Sequence, residues 1–289
     1  MTSGYKHVSR SLYRREWFDL GLLIARWVPR SVLRAAAGLT GWIYAVTHPA
    51  KARVAAANVR SVVPGIPVVA SRIYSSFARM LADYFVAGAC GDAAIRRMTG
   101  TRRGYDYLKA TSETGRGAVL ATLHLGFFEL GGWVLGQMSV PTMVLTRPEP
   151  DPRLTAWRAD FRKRWGMETL EVGRDPFALL EALKFLRQGK MVAALMDRPH
   201  PQQRLGVVVG DTTLWCSRAV LQLAAKAGSP LLPLVVYCNP QGIYEFEVME
   251  PIEVSSDKLE EAAFLLWSRL LPVVKRYPEQ YFQFEEMSE

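Results

Sequence analysis

A chain of 289 residues is long enough for one large α/β domain or two small ones, with a substantial core in either case. Hydrophobic residues make up 49% of it and charged ones 22%, with eight Trp, a globular balance that leaves apolar surface for a partner or a lipid. The net charge is +9, and residues 1–60 alone carry +8, with ten Lys/Arg against Glu16 and Asp19. Three scattered cysteines, Cys90, Cys216 and Cys238, argue against a disulfide framework or a zinc site and favour a reducing compartment.

The first residues, MTSGYKHVSRSLYRREW, do not read as a secretory signal, with no clean apolar core and no small-residue cleavage site, so the expectation is a protein that stays in the cytoplasm. From Trp17 to Val46 the apolar pattern is broken by Arg26, Pro29, Arg30 and Arg34, so no run approaches the roughly 20 residues of a spanning helix. Two amphipathic helices lying on a membrane fit this stretch, with helices that cap the core as the alternative. Basic residues interleaved with Trp17, Phe18, Trp27, Trp42 and Tyr44 suit anionic lipid, since cations meet headgroups while aromatics sink below them. A nucleic-acid arm would hold fewer apolar residues of this type. Residues 17–100 read as helical, with breaks at Val28-Pro29, His48-Pro49 and Val63-Pro64-Gly65.

From about residue 104 short apolar runs alternate with helical patterns, as in βαβ units. The runs are Ala118–Leu123, Thr142–Thr146, Met191–Met196 and Leu231–Tyr237, with Pro233 awkward inside a central strand. Helices are expected near 129–138, 151–165, 175–188 and 216–227, then a strand from Ile243 to Met249 and a closing helix over 258–277. The pattern predicts a helical, basic, membrane-associating region over 1–100 and an α/β core over 101–289. That core is a mixed, mostly parallel sheet flanked by helices.

His124 follows the first run, Arg147 the second and Asp197 the third. Open α/β sheets bind ligands at the carboxyl ends of their parallel strands, so these three side chains point to one site. His124-Leu125-Gly126-Phe127-Phe128-Glu129 places a carboxylate five residues after the imidazole. Across a turn it can reach one ring nitrogen, a general base with its orienting partner. The competing reading is a helix-capping His beside a surface Glu. Gly131-Gly132 after the motif would permit close helix approach.

The helix after the second run carries Arg153, Arg158, Arg162, Lys163 and Arg164, interleaved with Trp157, Phe161 and Trp165. The aromatics read as core contacts. The basic face, with Arg158 and Arg162 on one side, would suit a phosphorylated headgroup or an acidic carrier protein, or would simply be solvated. His7, His48 and His200 have no acid at useful spacing, and Asp197-Arg198 could form a local ion pair.

With Leu130-Gly131 after it, the His124-x4-Glu129 motif resembles that of the bacterial lipid A biosynthesis acyltransferases, and it is similar to that of the mycobacterial phosphatidylinositol mannoside acyltransferases. The likeness continues through Asn58-Val59, Arg147-Pro148, Arg164-Trp165-Gly166, Leu186-Arg187-Gln188-Gly189, Asp197, Gly210, Ala227-Gly228-Ser229-Pro230 and Pro278-Glu279-Gln280-Tyr281, over roughly residues 20–282. It implies acyl transfer from acyl carrier protein or coenzyme A to a lipid hydroxyl at the cytoplasmic face of the inner membrane, by a peripheral or monotopic protein without metal or redox cofactor. In this reading His124 deprotonates the acceptor, Glu129 orients it, and Arg147, Arg164 and Asp197 shape the donor or acceptor site. Phe127-Phe128 before the acid and the ending Phe284-Glu285-Glu286 depart from the pattern and leave the acceptor open. A lysophospholipid or other polar-lipid acyltransferase, or a non-catalytic peripheral membrane protein, remains an alternative. A serine hydrolase is disfavoured because no Gly-x-Ser-x-Gly elbow is present.

Overall fold

Residues 14–173 and 177–285 are described by the structure, a computed structural model; Lys6, His7, Arg10 and the start of the helix expected from 175 lie outside them. Pro and Gly punctuate the N-terminal region into α1 (Arg15–Trp27), α2 (Arg30–Thr47), α3 (Pro49–Val62) and the long α4 (Ala70–Met98). Pro49 opens α3 at its first helical position, where the missing N–H costs nothing. His48 ends α2 stacked on Tyr44, with ring centroids 4.1 Å apart, as its helix-ending reading requires.

The rest of the chain continues with β1 (Thr99–Arg103), α5 (Tyr105–Glu113), β2 (Ala118–Thr122), α6 (Leu130–Gln137), β3 (Thr142–Thr146), α7 (Pro152–Lys163), β4 (Met167–Glu171), α8 (Ala178–Arg187) and β5 (Met191–Leu195). Then come β6 (Arg204–Val209), β7 (Thr212–Ser217), α9 (Arg218–Ala227), β8 (Leu231–Cys238), β9 (Tyr244–Val248) and α10 (Leu259–Arg276). The main sheet has the order β1-β9-β8-β2-β5-β3-β4. Strands β8, β2, β5, β3 and β4 run parallel, and β9 is antiparallel to β8. This is the mixed, mostly parallel, helix-flanked sheet expected from the sequence.

β2 shows why its residues form a central strand. Val119, Ala121 and Leu123 face one core layer with α3, α8, α9 and α10; Ala118 and Leu120 face the other with α4, α6 and α7. A strand buried on both sides must be apolar throughout. Pro233 is accommodated in β8 because it lies where one ladder hands over to the other: pairing with β2 ends at Pro233, and pairing with β9 begins at Leu234.

The expected helix over 216–227 begins two residues later. Cys216 and Ser217 end β7, and the Ser217 hydroxyl then accepts from the Val220 N–H as the N-cap of α9, a preferred residue for that position.

The N-terminal helices are tied to the sheet by charge. Asp83 of α4 is fully buried and accepts from Arg30 at 2.7 Å, from Arg34, and from the Tyr244 hydroxyl of β9 at 2.8 Å. Arg30 also donates to the Gly242 carbonyl at 2.6 Å. Two of the arginines expected to meet lipid are thus turned inward, because a buried carboxylate needs cationic and hydrogen-bonding partners.

Candidate functional site

Register builds the site. Parallel β2 and β5 align Ala118 with Met191 through to Thr122 with Leu195, and each chain then runs on two residues, to His124 and to Asp197. Neighbouring strands lie about 4.8 Å apart, so the two side chains leave the sheet side by side. His124 Nδ1 is 2.7 Å from Asp197 Oδ1, and the His124 backbone N–H donates to Oδ2 at 3.0 Å. With Nδ1 at a carboxylate that can only accept, the ring proton belongs on Nδ1 and Nε2 is the free acceptor of a neutral imidazole.

The turn after His124 is closed by Gly126, at φ 55°, where a Cβ would stand 2.2 Å from the Val236 carbonyl oxygen. The C-terminal segment seals this turn from the other side. The Gly126 N–H donates to Gln280 O at 2.9 Å, and the Phe282 N–H donates to His124 O at 2.8 Å.

Burial and the neighbouring charges set the state of the His124 imidazole. Burial lowers the His124 pKa, Arg198 lowers it further, and Asp197 pulls it only part of the way back, so the ring is neutral at neutral pH. Burial would raise the Asp197 carboxyl, but the His124 ring and its hydrogen bond, with Arg198, outweigh this and keep it ionised below the usual carboxylate range. Phe128 packs edge-on to the imidazole, with centroids 5.6 Å apart.

Glu129 is elsewhere. Both its oxygens accept from Arg162 of α7, at 3.0 and 2.5 Å, and the two side chains are only 9% and 5% exposed. Burial works to raise the Glu129 pKa; Arg162 and then Arg158 overcome it, and the group stays ionised. The expectation that Glu129 orients His124 is therefore corrected in geometry: the carboxylate on the imidazole is Asp197. The reason is physical, since the Gly126 turn delivers Glu129 at the start of α6 facing α7, where a buried guanidinium meets it in a bidentate pair.

The same pair takes Arg162 out of the expected basic binding face. Arg158 is half-buried, 2.9 Å from Glu149 and over the Phe18 ring, so this side of α7 points into the protein. Trp157 and Phe161 are buried and stacked at 5.4 Å, as core aromatics. Arg164 lines an open cleft of about 270 Å³ with Arg26, Leu22, Gly88, Ala89, Trp157, Asp160 and Phe161, which includes neither His124 nor Asp197. Arg147 is near the dyad: it donates to the Arg198 carbonyl at 3.1 Å, and the charge of Glu285 acts on both it and His124. Of the expected site residues, the structure thus groups His124, Asp197 and Arg147, and pairs Glu129 with Arg162 beside Arg158.

A family model described as bacterial lipid A biosynthesis acyltransferase matches residues 2–287. The chain belongs to that family. Phosphatidylinositol mannoside acyltransferases from two Mycobacterium tuberculosis strains, H37Rv and CDC 1551, are each 27% identical to it over 185 residues, 62% of this chain and 56% of theirs. The alignment therefore spans little more than half the length of these curated relatives. A solved 1-acyl-sn-glycerophosphate (LPA) acyltransferase from Thermotoga maritima aligns over 88% of this chain and 100% of its own, at 14% identity and TM-score 0.41.

In this member of the lipid A biosynthesis acyltransferase family, two participants at the site were not singled out from sequence. The local ion pair open to Arg198 and Asp197 in the sequence is not the arrangement formed: Arg198 Nε donates to Gln283 Oε1 at 2.7 Å, and its Nη2 donates to the Phe282 carbonyl. Gln283 was unmarked, because it lies 86 residues from the carboxylate to which it donates. His200 caps a short exposed turn, away from any of these contacts.

Proposed function

We propose that the protein is an acyltransferase that moves a fatty acyl group from a thioester donor to a hydroxyl of a polar lipid at a membrane surface, with His124 as general base oriented by Asp197. The observation that carries this reading is the 2.7 Å contact between His124 Nδ1 and a buried, ionised Asp197, in a chain of an acyltransferase family. Nε2 takes the proton of the acceptor hydroxyl as its oxygen bonds to the thioester carbonyl carbon. The tetrahedral adduct then collapses with cleavage of the carbon–sulfur bond, and the departing thiolate recovers the proton from the imidazolium. Products are an ester and a free thiol. The Asp197 charge favours the imidazolium in the middle of this cycle, and a base so held supplies about 10²- to 10⁴-fold in rate.

A glycolipid acceptor, such as a lipid A precursor, is favoured over a lysophospholipid by the family and by the glycolipid named for the mycobacterial relatives. The donor is acyl carrier protein or coenzyme A thioester, and Arg147 beside the dyad is suited to its phosphate groups. α1 and α2 would rest on anionic lipid at the cytoplasmic face of the inner membrane. They expose Trp17, Leu23 and Trp27, then Leu39, Trp42 and Val46. Among the described residues no helix is long and apolar enough to cross a membrane.

The test is release of free thiol from acyl carrier protein or coenzyme A thioester with and without a glycolipid acceptor in vesicles. Release that requires the acceptor and disappears in a folded His124→Ala variant is expected. Acceptor-independent release would indicate a hydrolase, and undiminished transfer by His124→Ala would exclude the mechanism.

A further inference from the structure

We infer that Gln283 is a positioning residue for the acyl transfer: it fixes the Asp197 carboxylate against His124 and holds Arg198 away from it. This rests on the reading of His124 as the base.

Three observations carry the inference. First, Gln283 Nε2 donates to Asp197 Oδ2 at 2.6 Å while Gln283 Oε1 accepts from Arg198 Nε at 2.7 Å. A guanidinium can only donate and a carboxylate can only accept, so the amide has one permitted orientation, with its carbonyl to Arg198 and its NH₂ to Asp197. Second, Gln283 is 1% exposed, and its backbone is held independently of its side chain: Asn58 Nδ2 of α3 donates to the carbonyls of Gln283 and Glu285, at 2.9 and 2.7 Å. The amide is therefore delivered into the site by a tail already anchored. Third, Asp197 Oδ2 takes the His124 backbone N–H and the Gln283 amide while Oδ1 faces Nδ1; the buried Tyr281 hydroxyl also meets Asp197 and Gln283, and Glu285 adds its charge near the ring.

The consequence concerns Arg198. A guanidinium next in sequence to a buried carboxylate has a strong charge-assisted bond available to it. Taken up, that bond would divert the Asp197 charge from the imidazole and deprive the imidazolium of its stabilisation. The neutral amide, wedged between the two ions, satisfies both and prevents their collapse onto each other. Such a spacer must accept on one side and donate on the other, which Gln does at this length and an apolar residue does not.

The experiment compares Gln283→Met with the double variant Gln283→Met/Arg198→Met, reading kcat, KM and the pH profile. The His124 ring titration is followed by NMR in the same full-length proteins, with the signal assigned by His124→Ala. Gln283→Met should lower kcat by about 10- to 100-fold, part of what a held base supplies, with little change in KM. The His124 midpoint should move down as Arg198 draws off the Asp197 charge. Removing Arg198 as well should bring the midpoint back up and recover part of kcat, which a merely structural role for Gln283 would not produce. Gln283→Asn, too short to span both partners, should shift the midpoint in the same direction and serves if the Met variant folds poorly. Wild-type kcat and an unmoved His124 midpoint in Gln283→Met would overturn the inference while leaving His124 as base. Transfer surviving in His124→Ala would instead remove the base reading, and the NMR midpoint would still decide whether Gln283 controls the dyad.

Discussion

Arg162 of α7 grips the Glu129 carboxylate through two nitrogens, with the pair almost closed to solvent. Glu129 is thereby an element of stability at the start of α6. Removing one member of a buried pair strands the other charge, at a cost of about 3–5 kcal/mol. Glu129→Gln should lose that much in urea-induced unfolding, and Glu129→Leu/Arg162→Met should recover most of it. Wild-type stability in Glu129→Gln, together with a collapse in kcat, would return Glu129 to the chemistry.

Acid should switch the base off below the ordinary histidine range. Burial and Arg198 hold the His124 pKa under its usual value of 6.5, so the acid limb of kcat/KM should fall below 6.5. Arg198→Met removes a charge that opposes protonation and should move the limb up; loss of the Asp197 charge should move it down. The linkage to stability has the same sign. A group whose pKa is depressed on folding contributes stability above its unfolded value, and that contribution is lost as pH falls through the lowered one. A limb at or above 6.5 in wild type, or movement in the wrong direction in Arg198→Met, would contradict the electrostatic account.

Lipid contact should divide the N-terminal arginines into two classes. Arg26 is exposed on α1 beside Trp27, and Arg26→Ala should weaken binding to anionic vesicles by about 1 kcal/mol at low salt and little at high salt. Trp27→Ala and Trp42→Ala should weaken it at any salt, since they remove apolar contact. Arg30→Ala and Arg34→Ala should instead lower the melting temperature by leaving Asp83 under-partnered. Vesicle sedimentation alongside thermal unfolding separates the classes, and a salt-dependent loss of binding in Arg30→Ala without destabilisation would refute the division.

The strands that carry the site were legible because burial on both faces demands runs such as Ala118–Leu123, and their ends marked His124, Arg147 and Asp197. β1 was not, since Thr99–Arg103 is a polar stretch at the sheet edge with four exposed positions. The hairpin of β6 and β7 did carry a signal: Leu205 and Val207, then Thr212, Leu214 and Cys216, are buried in alternation around a Gly210-Asp211 turn. The sequence expectation of a helix from 216 runs across its last two residues, Cys216 and Ser217. The pairing within the site was the harder matter. Nearness in sequence favours Glu129 as the partner of His124, while the true neighbour is set by the register of β2 on β5, a property of two strands together. Gln283 and Arg198 depend on the return of residues 280–283 to the sheet, which no local pattern specifies.

The most direct measurement is kcat for acceptor-dependent thiol release in Asp197→Asn and Glu129→Gln, normalised to folded protein and taken well below either melting temperature. The Asn side chain keeps the shape but removes the charge that stabilises the imidazolium, so Asp197→Asn should lose about 10²- to 10⁴-fold in kcat. Glu129→Gln should lose stability and keep most of its turnover per folded molecule. Near-wild-type kcat in Asp197→Asn beside an inactive, stably folded Glu129→Gln would contradict the assignment of Asp197 as the carboxylate that orients His124.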